Sequence, residues 1–321
     1  MCGAPPGASD LTAARDAALE GASELVAQLT QVGLDQVAAA RVVPLRERHG
    51  HAVYRLECGP RSFVLKWFPD PARAVEVPTY ALLEAYGVPT PRVHARTAHA
   101  HLLEDLARSA AWRLATPADL ARAGPGAAVA AWYRALHEAG RRAVTAPGGP
   151  PPHLRREADV LDAASVCDLG ERLGLSEAPG WAQVVESIDA LRQALRALPE
   201  TLTYGDFHWS NLALARGAEQ AGAEAGARAL VFGHHLLGLG PAESDLRNVL
   251  GSLEEPARAA FRAAYGAVNE RALRLDAPVA TLYALHEAAQ RPQLPRWAAA
   301  LVREVRTGAF AAGLRRALAA L

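Results

Sequence analysis

Tyr204-Gly205-Asp206-Phe207-His208-Trp209-Ser210-Asn211, YGDFHWSN, lies inside the run TLTYGDFHWSNLALA, between two short apolar stretches. A carboxylate, four residues and a carboxamide put a proton acceptor and a neutral oxygen donor on one loop, which suits two roles at a single phosphoryl group. Spacing of this kind is common by chance, so its weight depends on the rest of the chain. Upstream, in SFVLKWF (62–68), stands Lys66, the one lysine beside thirty-three arginines. The broad planar fork of arginine cannot replace a compact ammonium where a point charge must sit between phosphate oxygens and a carboxylate. Lys66 is therefore a candidate functional residue; the plainer alternative is a gatekeeper lysine on an exposed edge strand.

Outward from these two points the hydrophobic period changes in an orderly way. Ser9 and Asp10 can cap a helix in which Leu11, Ala14, Ala18, Ala22, Leu25 and Leu29 form one apolar face. Three strand-like runs follow, RVVPLRE, HAVYRLEC and RSFVLKWF, with a turn at Gly59-Pro60. VPTYALLEAYG reads as a short helix with Pro78 in its first turn and Gly87 at its end, and GVPTPRV as extended linker. After LLEDL (102–106) alanine-rich helix begins and runs to about Gly140; APGGPPPHL is a loop, and residues 155–198 form a second helical block. ARALVFGHHLL pairs with the run around Asp206 as a small hairpin across GAEQAGAEAG, and residues 241–321 are helical with a break near RPQLP. The expected division is residues 1–106, with a leading helix over 1–36, and residues 107–321.

Half of the 321 residues are apolar and the formal net charge is zero. That balance argues against a non-specific nucleic-acid binder or an electrostatic membrane binder. Cys2, Cys58 and Cys167 are odd in number and widely spaced, which implies neither a disulfide framework nor a zinc pattern. No uncharged apolar stretch approaches the roughly 18 residues of a membrane span, and the start MCGAPPGASD has no basic or apolar leader region. A soluble, unprocessed, cytoplasmic protein is expected.

The order strand lysine, helix glutamate, then Asp-x4-Asn is the order of kinase-like proteins. The chain resembles the aminoglycoside phosphotransferase and choline kinase family of small-molecule kinases from about Arg41 to about Phe310. The family pattern HGDxHxxN appears as residues 204–211, with Tyr204 for the first histidine. The resemblance implies an α+β, bilobal, protein-kinase-like fold with a small N-terminal lobe, built from an antiparallel sheet and one helix, and a larger, mostly helical C-terminal lobe. It implies ATP or GTP as phosphoryl donor, a small hydroxylated molecule as acceptor, and a monomer or homodimer with neither nucleic acid nor membrane as partner. By the same resemblance Asp206 is the catalytic base, Asn211 a magnesium ligand, Lys66 the ligand of the α and β phosphates, and Glu76 its ion-pair partner. Glu104 and Leu106 in LLEDL resemble the hinge at the adenine. His137 in ALHEAG supports the loop, and Asp245 is a structural aspartate.

One departure outweighs the matches. Twelve residues before the structural aspartate, relatives carry the aspartate that chelates the nucleotide's magnesium; twelve before Asp245 stands Gly233, in VFGHHLLGLG. Magnesium prefers oxygen donors, so His234 and His235 are poor replacements. Three readings stay open: a degenerate kinase that still binds nucleotide, a weak kinase in which Asn211 and a nearby carboxylate hold the metal, or recruitment of a softer divalent ion by the histidines with His208. Around the single Gly50 of the first turn, Arg46, Arg48, His49 and His51 either contact phosphate or are simply solvated. Glu243, Glu254 and Glu255 either attract a cationic substrate or are surface acids.

Overall fold

The computed structural model describes residue 16 and residues 40–48, 51–217 and 228–321. Apart from residue 16, the leading helix expected over 1–36 lies outside them, as does most of GAEQAGAEAG. The chain forms two compact units, residues 1–132 with 209–235, and residues 133–208 with 236–321. Composition alone put the boundary after Leu106; contacts instead gather 107–132 and 209–235 with the first unit.

The first unit is built on a five-stranded antiparallel sheet of β1 (Arg41–Arg48), β2 (His51–Cys58), β3 (Arg61–Trp67), β4 (Val93–Arg96) and β5 (Ala100–Glu104), in the order β1-β2-β3-β5-β4. The three runs read as strands in the sequence are strands. Their alternation is that of a sheet with one apolar face: Ala52, Tyr54, Leu56 and Cys58 on β2 and Phe63 and Leu65 on β3 are buried with Ala100 and Leu102 of β5. Helix α1 (Glu76–Ala85) buries Glu76, Val77, Thr79, Tyr80 and Leu83, and Gly87 follows it at φ 73°, the left-handed conformation that glycine adopts without steric cost. β4 begins inside GVPTPRV, which the sequence reading took as linker; it is an edge strand of four residues, too short for a period of two to stand out. A second small sheet joins β6 (Trp112–Leu114), β9 (Leu212–Ala215) and β10 (Ala229–Val231), so the expected hairpin around the Gly/Ala-rich linker is β9–β10.

Helix α2 (Ala123–Thr145) runs past the expected end at Gly140; its part from Tyr133 onward belongs to the second unit. There the block 155–198 opens on a two-residue strand, β7 (Arg155–Arg156), before α3 (Ala163–Leu173) and α4 (Trp181–Arg196). β7, β8 (Glu200–Thr203) and β11 (Gly238–Pro241) make a sheet in the order β7-β11-β8. Helices α5 (Ala242–Ser252), α6 (Ala257–Tyr265), α7 (Glu270–Ala289), α8 (Ala298–Arg306) and α9 (Ala309–Leu318) complete it, with the break near RPQLP between α7 and α8. Its core interleaves Val166 and Leu169 of α3, Val184, Ile188 and Leu191 of α4, Leu275, Val279 and Leu282 of α7 and Leu314 of α9. Among the described residues no helix is long and apolar enough to cross a membrane.

Candidate active site

In the first unit, Val53 of β2 lies opposite Lys66 of β3, and Lys66 opposite His101 of β5. Directly paired residues share a face, so the lysine projects from the side of the sheet on which α1 starts. There the Lys66 Nζ donates to Glu76 Oε2 in an ion pair whose lysine and glutamate side chains are 11% and 1% exposed. The other carboxylate oxygen, Oε1, accepts the backbone N–H of His234 at 3.2 Å. Burial alone would push the Glu76 carboxyl up, but Lys66, then His101 and His234, together hold it down at about 2.

An aromatic and imidazole wall surrounds the pair. Tyr80 of α1 packs edge-on to both His101 and His234, with ring centroids 4.9 Å apart in each case, and Trp132 stacks on His234 at 6.2 Å. Burial is the main reason that His101 and His234 are lowered to about 4 and are neutral at pH 7. Sequence reasoning missed His101 and Tyr80, because the register that brings them to Lys66 cannot be read from a single strand.

Gly233 adopts φ 80°. A Cβ on it would stand 3.7 Å from both Cγ and Oδ1 of Asn211, so a carboxylate at this position would face the Asn211 amide. Glycine supplies none. Magnesium is held octahedrally through one or two carboxylates together with phosphates and water; the side chain nearest position 233 is the neutral Asn211 amide. His234 is packed among rings, while His235 is exposed with Nδ1 3.2 Å from the carbonyl oxygen of Gly233. Among the described residues no group of three or more His, Cys, Asp or Glu is arranged to hold a metal ion. The residues present do not fit a magnesium ion held as in the resembling family, nor a softer ion on the histidine pair. Of the two expected hinge residues, Glu104 accepts from Ser109 Oγ at 2.8 Å, and the Leu106 side chain is buried against Ala213 and Leu230.

In the second unit, β8 ends at Thr203 and the chain turns into the loop bearing Asp206. The turn hangs on Asp245 of α5, which is fully buried: its carboxylate accepts from the backbone N–H of Tyr204 at 2.8 Å and of Gly205 at 2.9 Å. His137 of α2 bridges Asp245 Oδ2 at 3.2 Å and the Tyr265 hydroxyl at 2.8 Å; both contacts are met when Nε2–H donates to Asp245 and the Tyr265 O–H donates to Nδ1. Asn248 Nδ2 donates to the Gly205 carbonyl at 3.2 Å. Asp245 and Asn248 of α5 thus fix the residues immediately before Asp206, with His137 of α2 and Tyr265 of α6 behind Asp245. Asp206 itself is half-buried, and His208 is exposed.

A second acid stands by this turn, and sequence reasoning did not single it out. A Cβ on Gly205 would come within 3.5 Å of Glu157 Oε1. Burial first, then the neighbouring Asp276, raise the Glu157 carboxyl to about 8, against the opposing pull of Arg247. The acids weighed from sequence are elsewhere engaged or open: Glu243 accepts the Asn269 backbone N–H at 3.2 Å, and Glu254 and Glu255 are exposed.

The sequence profile of the phosphotransferase enzyme family matches residues 41–281, a span that contains Lys66, Glu76, Asp206, Asn211 and Asp245. The chain belongs to this family. Its fold is shared with an ethanolamine kinase of Plasmodium vivax at TM-score 0.58 and 10% identity, over 90% of this chain and 89% of that one. A microcompartment-associated aminopropanol kinase matches at TM-score 0.57 and 17% identity, over 92% and 98% of the two chains. A spectinomycin phosphotransferase in complex with ADP and spectinomycin matches at TM-score 0.52 and 13% identity, over 90% and 98%. No curated protein matches the chain in sequence. The expected α+β, kinase-like fold, with an antiparallel sheet early and helices later, is therefore the fold of this phosphotransferase-family chain.

Proposed function

We propose that this chain moves the γ-phosphoryl group of ATP or GTP onto a hydroxyl of a small molecule. The observation that carries the reading is the buried ion pair between its single lysine and Glu76, with both carboxylate oxygens engaged. A buried ion pair is expensive to maintain for stability alone; a site that must present one ammonium to phosphate oxygens gives it a use. In this reading Lys66 meets the α and β phosphates, Glu76 fixes its position, and the segment around Glu104 and Leu106 receives the base. The acceptor oxygen attacks the γ phosphorus, the bond to the β–γ bridging oxygen breaks, and the diphosphate leaves. Asp206 orients the acceptor hydroxyl and takes its proton, which then passes to solvent.

The acceptor is inferred to be a small hydroxylated molecule such as an amino alcohol, an aminoglycoside or a sugar. The named substrates of the solved kinases that share the fold support that class, and Glu157 beside Gly205 is available to a polar group on it. A cytoplasmic monomer or homodimer is the setting we infer. A second reading, a nucleotide-binding or regulatory module without turnover, is favoured by one observation, the missing carboxylate at Gly233. ATP and GTP consumption across a panel of small alcohols separates the two. The expected result is acceptor-dependent turnover that falls by about a thousandfold or more in Asp206→Asn; nucleotide binding with no turnover for any acceptor would establish the second reading.

A further inference from the structure

We propose that the first unit holds nucleotide phosphates without a metal ion, through a side-chain cradle in which Arg46 of β1 and His51 of β2 join Lys66. The proposal rests on the nucleotide-binding reading above and deepens it by naming what replaces the absent dication. Strand register supplies the first argument. Arg46 lies opposite Val53, and Val53 opposite Lys66, so arginine and lysine project from one face in one row, about 10 Å apart at the backbone. His51 is two residues from Val53 and so shares that face. The imidazole and the ammonium meet at one aromatic ring: the His51 ring centroid is 5.8 Å from that of Phe68, and Lys66 Nζ is 5.5 Å from the same centroid.

The second argument is charge. Other arginines of this sheet are neutralised, Arg41 by Glu57 and Arg55 by Asp105, and Lys66 is matched by Glu76. Arg46 is exposed and enters no ion pair among the described residues. Among the described residues the groups that act on His51 are Lys66, Glu76, Arg46 and His235, three basic side chains against one acid already shared by Lys66 and the His234 N–H. Among the described residues this end of the sheet therefore carries more basic than acidic side chains on the face of Lys66. Where the resembling family would neutralise phosphate with a metal, Gly233 supplies no carboxylate beside the Asn211 amide.

A cradle of this kind takes up a proton. Burial, Lys66 and Arg46 hold free His51 at about 4; a polyphosphate placed among these cations reverses the local field and raises it. Binding should then tighten as pH falls from about 8 to about 6, over and above the change due to the nucleotide's own protonation, and His51→Gln should remove that excess.

The test is the affinity of the full-length protein for ATP, measured by calorimetry in excess EDTA and in excess magnesium, for the natural protein, Arg46→Gln, His51→Gln and Gly233→Asp. The expected result is wild-type affinity within about threefold between EDTA and magnesium, and a loss of about tenfold in EDTA for each of the first two variants, the size of one charge-assisted hydrogen bond. Gly233→Asp should acquire magnesium dependence of about tenfold or more. Arg46 is exposed and His51 only partly buried, so the two glutamine variants decide the matter even if the left-handed backbone at 233 rejects aspartate. Strictly magnesium-dependent wild-type binding, or glutamine variants that bind like wild type, overturns the cradle while leaving the kinase reading standing. Failure to bind ATP under any condition overturns both.

Discussion

Glu76 shows how one side chain can be costly and necessary at once. Its carboxylate is 1% exposed and stays ionised because Lys66 and the His234 N–H each hold one oxygen. Removing Lys66 would leave a buried charge without its counterion. Lys66→Met is therefore expected to lower stability by about 3–5 kcal/mol, and Lys66→Met combined with Glu76→Gln to recover a large part of that loss, as read by denaturant unfolding. Equal losses in the single and double variants would mean that the pair is not electrostatically coupled. Lys66 was legible because the composition isolates it. His101 and Tyr80 were not, since nothing in their local sequence marks them, and His234, which the adjacent histidine pair did mark, was read as a possible metal ligand rather than as a main-chain donor to Glu76.

At the scale of elements, what could be read and what could not divide along length and repetition. β1, β2 and β3 are seven or eight residues each, and β2 and β3 alternate clearly between buried and open positions, so the sequence marks them. β4, β7 and β11 have two to four residues each and exist because longer neighbours offer them hydrogen bonds, a tertiary cause with no local signature. The turn into the Asp206 loop is a similar case. Its motif is readable, but the reason it holds its shape is Asp245 on α5 receiving the Tyr204 and Gly205 N–H groups, with His137 and Tyr265 behind. Asp245→Ala leaves those donors buried and unanswered. The expected outcome is a loss of about 2–4 kcal/mol in stability and at least a hundredfold fall in kcat, with little change in KM for the nucleotide. Asp245→Asn, which keeps one acceptor oxygen, should fall between; an unchanged kcat in both would deny Asp245 its positioning role.

For the molecule as a whole, the two units carry opposite acid–base signatures. In the first, His101 and His234 titrate at about 4 when folded, below the ordinary value near 6.5. The unfolded chain thus binds more protons between these limits, and the stability of this unit falls as pH drops from about 6.5 to about 4. Glu76 adds a further loss at lower pH, as it protonates near 2. In the second unit Glu157 is raised to about 8 from 4.5, so its stabilising neutral form is complete below about 4.5 and lost as pH rises to about 8. Scanning calorimetry at about pH 5 and about pH 8.5 should show the first unit as the weaker one in acid and the second as the weaker one in alkali. Glu157→Gln should raise the alkaline Tm and leave the acid Tm unchanged; a Tm equally affected at both pH values would show that Glu157 is not held neutral.

Gly233 and His234 together separate two things that a side-chain comparison merges. The segment after β10 has no carboxylate to offer a metal, yet it still reaches Glu76, through a peptide N–H that every residue except proline carries. A contact made of main chain is invisible to any scan that replaces side chains and indifferent to most sequence drift at position 234. What the position does require is a backbone path through φ 80° at residue 233, which a glycine takes most easily. The same glycine that deletes a ligand therefore makes the tether easy to form, so the chemistry of this segment can change while its mechanical hold on the lysine–glutamate pair stays in place.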